Sequence, residues 1–142
     1  MKKYFAVLLI TLVVSCATMQ TIDVSHRTHI YQSSYQNVLK AVVDYCNEKS
    51  FAITSIDKEL GIINTDYKEN DGTSKFLMGG FRMKINFSIS KIDSMNTKML
   101  LNISYENQGK YGSWSQATLG EDKAIEGYEG VFKLIDEKLK NK

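Results

Sequence analysis

Proline is missing altogether, and cysteine, histidine and tryptophan are scarce, at two, two and one among 142 residues. Two cysteines close at most one bridge, so a disulfide-stapled scaffold is excluded. The two histidines, His26 and His29, fall on a stretch without helical periodicity, where their spacing does not chelate. No cysteine, aspartate or glutamate cluster of metal-ligand spacing accompanies them, so no metal and no cofactor are expected. There is no Gly-x-Ser-x-Gly elbow, Walker loop or dinucleotide fingerprint, and the expectation is a chain without catalytic activity. Excess charge of one sign is lacking too. Apart from Lys2 and Lys3 the chain carries sixteen basic and sixteen acidic side chains, which leaves no basic stripe for nucleic acid. Nor is there a repeat, a low-complexity tract or an apolar run of about 20 residues, the length a membrane-crossing helix needs. The length suits one domain with a core of its own.

The N-terminal residues carry the clearest address. Lys2 and Lys3 precede a mostly apolar run over residues 4–14, and small residues lead to Cys16. A basic start, a short apolar middle and small residues before a cleavage point make a secretory signal peptide, here residues 1–15. Val13-Val14-Ser15-Cys16 resembles the lipobox of bacterial lipoproteins. The resemblance implies a diacylglyceryl group on the Cys16 thiol, removal of the preceding peptide and acyl chains such as palmitate as a membrane anchor. Each buried methylene contributes about 0.8 kcal/mol, so several chains hold almost irreversibly. Ala17 and Thr18, where inner-membrane lipoproteins carry Asp, imply the outer membrane facing the periplasm. Residues 16–27 then read as a lipidated tether and residues 28–142 as a single domain. Lipidation leaves Cys46 as the one thiol.

Thr28 to Tyr31 reads as a short first strand. Ser33-Ser34-Tyr35-Gln36 has capping-box spacing and opens a helix to about Lys49, with Tyr35, Val38, Leu39, Val42 and Cys46 in its apolar stripe. Cys46 in that stripe reads as a buried core residue. Strands follow over residues 51–56 and 62–67, joined by a turn ending in Gly61, and residues 68–75 read as a loop. Phe81, Met83, Ile85, Phe87 and Ile89 alternate with polar residues, and Met99, Leu101, Ile103 and Tyr105 repeat the pattern, predicting an antiparallel hairpin wet on one face. Residues 107–115 read as a glycine and aromatic loop. Thr118-Leu119-Gly120-Glu121 offers a second capping box before a terminal helix, in which Gly127 and Gly130 read as close packing on the sheet. The fold expected is α+β and two-layer: a four- to five-stranded antiparallel sheet with two helices on one face, in β-α-β-β-β-β-α order.

The stretch from Ser34 to Val42 leading into Phe51-Ala52-Ile53, then Asp57 through Gly61-Ile62-Ile63, and Tyr128-Glu129-Gly130-Val131-Phe132 resembles small bacterial envelope lipoproteins with a BamC-like helix-grip domain. That resemblance implies a lipid-anchored, non-catalytic binding or scaffolding module of the cell envelope, with an envelope protein as its partner. The alternative is a carrier of a small hydrophobic ligand between sheet and helix, lined by Met83, Phe87, Met99 and Phe132. Candidate contact residues are Phe76, Leu77, Met78 and Phe81, with Tyr111 and Trp114. The 76–81 segment reads either as an exposed apolar patch or as buried strand with a bulge at Gly79-Gly80. Carboxylates at Asp57, Glu59, Asp66, Glu69 and Asp71 read as solvated turns.

Overall fold

The computed structural model describes residues 22–73, 75 and 79–141. The signal peptide, Cys16 and the candidate contacts Phe76, Leu77 and Met78 lie outside them. The described chain runs β1 (Thr28–Tyr31), α1 (Tyr35–Glu48), β2 (Ile53–Asp57), β3 (Ile62–Thr65), β4 (Lys68–Glu69), β5 (Phe81–Lys91), β6 (Thr97–Gln108), β7 (Trp114–Gln116) and α2 (Glu121–Lys140). The α+β class is as expected, but the antiparallel sheet has seven strands rather than four or five. The two extra strands, β4 and β7, are two and three residues long. Such short pieces carry no period of their own.

Alternation in the sequence dictates the centre of the fold. The hairpin β5–β6 pairs without a slip from Phe81↔Asn107 to Lys91↔Thr97, so no bulge interrupts β5. Two short strands lie in tandem along each outer edge of this hairpin, β3 and β4 along β5, β1 and β7 along β6; β2 completes the sheet beside β3. Where β3 ends, the Thr65 hydroxyl takes over its pairing, donating to the Ile85 carbonyl at 2.8 Å and accepting the Ile85 N–H at 3.0 Å.

Ile63, Ile85, Phe87, Ile89, Met99 and Leu101 point to one side of the sheet and are buried. They join the stripes of both helices, Val38, Val42, Tyr45 and Cys46 from α1 and Tyr128, Val131, Phe132 and Ile135 from α2, in one core. The helices pack on each other, with a Lys138–Glu48 ion pair at the seam.

Turns and caps depart from expectation. The hairpin turn before β3 needs Gly61, whose φ is +70°; its carbonyl accepts the Ile89 N–H at 2.8 Å, and a Cβ there would collide with the Ile89 carbonyl oxygen. Neither capping box forms. The cap of α1 is Ser34, one residue later than expected, and that of α2 is Gly120; neither makes a side-chain cap bond. Ser33 is held instead through its carbonyl, which accepts the Thr97 hydroxyl at 2.8 Å. The C-terminus of α1 closes as a Schellman motif: Phe51 N–H to Cys46 O at 2.8 Å and Ser50 N–H to Asn47 O at 3.1 Å. Ser50 holds the left-handed position, φ 57°, that glycine usually takes. Of the two helical glycines, Gly127 packs closely, a Cβ there lying 2.9 Å from the Tyr105 hydroxyl, whereas Gly130 faces open space.

Residues 22–27, read from sequence as tether, belong to the folded unit. Ile22 packs on the core, His26 N–H reaches Asp23 O at 3.1 Å, and the Arg27 carbonyl accepts the Leu101 N–H at 2.8 Å, prolonging the β1 ladder.

Candidate functional site

The helices cover one face of the sheet; the side chains of the other alternate positions stay half-buried or exposed. At one end of this open face, strand register gathers residues remote in sequence. Arg82 on β5 lies opposite Glu106 on β6, and Trp114 on β7 lies opposite Gln108. Arg82 donates from Nε to Glu106 Oε2 at 2.6 Å, and its Nη2 is 2.5 Å from the same oxygen. Tyr67, just before β4, donates its hydroxyl to the other oxygen, Oε1, at 2.9 Å. The guanidinium carbon sits 4.4 Å from the Tyr67 ring centre and 4.4 Å from that of Trp114, so the cation is held between two rings. Lys84 Nζ lies 4.9 Å from the Tyr67 ring. Lys75 Nζ lies 5.8 Å from the Trp114 ring and 3.1 Å from Glu69.

Electrostatics follow this geometry. Hydrogen bonding from Arg82, chiefly, holds the Glu106 carboxyl below the ordinary glutamate value. Desolvation, then the neighbouring Glu106, raises the Tyr67 phenol. The titratable groups are thus committed to each other, and what the cluster offers outward is a guanidinium fixed between aromatic faces with two lysines beside it.

The structure splits the contact residues expected from sequence. Phe81 lies on the helix side of the sheet, stacked on Tyr105 at 5.6 Å, while Trp114 lies on the open side. The two do not form one patch. Tyr111 is 91% exposed at the tip of the β6–β7 connection. Tyr67, Arg82 and Glu106 were not singled out from sequence; only the polar phase of the β5 and β6 alternation marks the last two.

Other candidates resolve into structural roles. Asp57 Oδ1 accepts the N–H groups of Glu59 and Leu60 at 3.0 and 2.9 Å, and Asp66 Oδ1 accepts that of Tyr67 at 2.7 Å. Cys46 is buried, and burial pushes its thiol up to about 12, away from nucleophilic use at neutral pH. His29 sits in β1, stacked on Phe132 and 3.3 Å from Asp136. Among the described residues no three His, Cys, Asp or Glu side chains could hold a metal, and no helix is long and apolar enough to cross a membrane.

Two surface cavities accompany these features. One, about 340 Å³, lies beside His29, Phe132 and Asp136. The other, about 360 Å³, lies against β6 and the start of α2. Met83, Phe87 and Met99, expected to line a carrier cavity, line neither of them; Phe87 and Met99 are filled in by the core around them.

No family model matches the chain, and no curated protein matches it. Among solved structures it is similar to a DUF4468 family protein from Bacteroides ovatus, at 11% identity and a TM-score of 0.46, over 82% of this chain and 88% of that one.

Proposed function

We propose that the chain is a non-catalytic binding or scaffolding module of the bacterial cell envelope, held through acyl chains on Cys16 at the outer membrane and facing the periplasm. It presents the open sheet face to a protein partner. The anchor rests on the signal peptide and lipobox pattern of residues 1–16. The observation that carries the binding reading is the Tyr67–Arg82–Trp114 stack. Arginine, tyrosine and tryptophan are the residues in which interface binding energy concentrates. A side chain already fixed by Glu106 and two rings loses little further freedom on contact, which lowers the entropic cost of association.

The test is in-cell photo-crosslinking of the full chain. A photoreactive residue at Lys84 on the open face should yield one discrete adduct with an envelope protein, and the same residue at Lys133 on α2 should not. Arg82→Ala should remove the adduct while the protein remains folded and at normal abundance. Equal adducts from both faces, or none at Lys84, would sink the partner reading. The anchor is checked separately by palmitate labelling, which Cys16→Ala should abolish.

A further inference from the structure

The edge of β6 is interrupted. β1 pairs with residues 97–100 and β7 with residues 106–108, while the last backbone bonds of the two flanks are Leu101 N–H to Arg27 O at 2.8 Å and Ala117 N–H to Tyr105 O at 2.9 Å. Between them Asn102, Ile103 and Ser104 have β5 on one side and, among the described residues, no strand on the other. The Ile103 N–H is met by the Tyr128 hydroxyl from α2, at 3.3 Å.

The cavity of about 360 Å³ occupies this interruption. It has two chemical walls. Ile103, Tyr105, Leu119 and Tyr128 give an apolar side, and Arg27 with Asn102 gives a polar one. Arg27 is the only charged residue among the described lining; the Asp23 carboxylate, outside the lining, is within electrostatic reach of it. Among the described residues it makes no ion pair, and its guanidinium makes one side-chain hydrogen bond, Nη1 to Asn102 Oδ1 at 2.6 Å. Its Nε is buried without a partner. A guanidinium has five N–H donors in a planar fork matched to carboxylate, and its terminal nitrogens, of which Nη1 alone is engaged, are the donors open to a ligand. Asn102, having spent its oxygen on Arg27, keeps its amide N–H groups as further donors.

We infer that this cavity is a binding site for a small amphipathic carboxylate, its charged end on Arg27 and Asn102 and its apolar part against Tyr128 and Leu119. Two sources supply such a carboxylate, a free small acid and the C-terminus of a peptide. The two walls account for both halves of such a ligand, since apolar burial supplies affinity and the single cation fixes orientation. The site stands apart from the Arg82 cluster and needs no acyl anchor, so its test and the crosslinking test fail independently.

The experiment is calorimetric titration of the full chain in non-ionic detergent with 3-phenylpropionate and its amide, and with acetyl-Gly-Leu-Phe as free acid and as amide. At least one acid should bind about tenfold or more tighter than its amide, the factor a charge-assisted contact contributes. Preference for the small acid identifies a free metabolite as the source, and preference for the peptide acid identifies a chain terminus. Arg27→Gln should equalise acid and amide. Thr118→Trp, a change at an exposed position on the cavity wall, should block both forms without touching the core and guards against a folding defect in the first variant. Equal affinity of acid and amide, binding by neither pair, or an acid preference that survives Arg27→Gln overturns the proposal.

Discussion

The two faces of the β5–β6 hairpin are made of alternate residues from the same eleven- and twelve-residue strands, yet they obey different physics. On the covered face Ile85, Phe87, Ile89, Met99 and Leu101 are at most 1% exposed, and stability comes from removing apolar area from water and packing it densely. On the open face Arg82, Glu106, Tyr67 and Trp114 are arranged by charge and ring geometry while staying in reach of solvent. A single strand therefore supplies the core with one phase of its pleat and the solvent-facing Arg82 cluster with the other. Perturbing one phase should leave the other nearly unmoved.

The largest separation should come from truncation. Phe87→Ala removes a ring enclosed by the core and should cost about 3–5 kcal/mol in denaturant unfolding. Arg82→Ala, on the opposite phase, should cost about 1 kcal/mol, the scale of a partly exposed ion pair with ring contacts. If the two costs come out alike, the division between the faces is wrong.

Acid and base should separate the faces as well. Burial pushes Cys46 and Tyr45 on the covered side each up to about 12, and raises Tyr31. The unfolded thiol ionises near its ordinary value of 9.0, so above that pH the unfolded chain loses protons that the folded chain keeps. Stability is then whole below about pH 9 and falls as pH rises toward 12, by up to about 1.4 kcal/mol per pH unit for each group within its window. The open face fails at the other end. Glu106 is held below its ordinary 4.5 by Arg82, so its contribution is present above that value and lost as pH drops through the folded one. Denaturation curves at pH 7, 9, 10 and 11 check the first limb. Trp114 fluorescence between pH 5 and 3 checks the second.

The smallest effects concern the backbone rather than either face, and both are stabilising. Ser50→Gly relieves a left-handed residue at the end of α1 and should add about 1 kcal/mol. Gly130→Ala, where a Cβ meets nothing, should add up to about 1 kcal/mol of helix propensity, whereas Gly127→Ala presses on the Tyr105 hydroxyl and should lose that gain. Melting curves of the three variants are enough.

What was legible in the sequence follows from range. The hairpin could be read because period-two alternation over residues 81–89 and 99–105 is local, and both helices because their stripes are. β7 could not: Trp114-Ser115-Gln116 has no pattern, and pairing with β6 alone makes it a strand. The caps were misread because spacing does not reveal that Thr97 engages the Ser33 carbonyl from across the domain. The Arg82 stack and the Arg27 cavity were hidden for the same reason. Tyr67, Arg82 and Trp114 meet only after three strands are in register, and Arg27 looks like linker until β1 docks.

That docking has a temporal side. Thr28–Tyr31 finds its partner only at Thr97–Leu100, so the earliest ribbon of the domain to be synthesised waits, hydrated and unbonded, until the central hairpin exists to receive it. A product truncated before residue 97 would carry β1 as a permanently orphaned edge, the form in which chains recruit one another into aggregates.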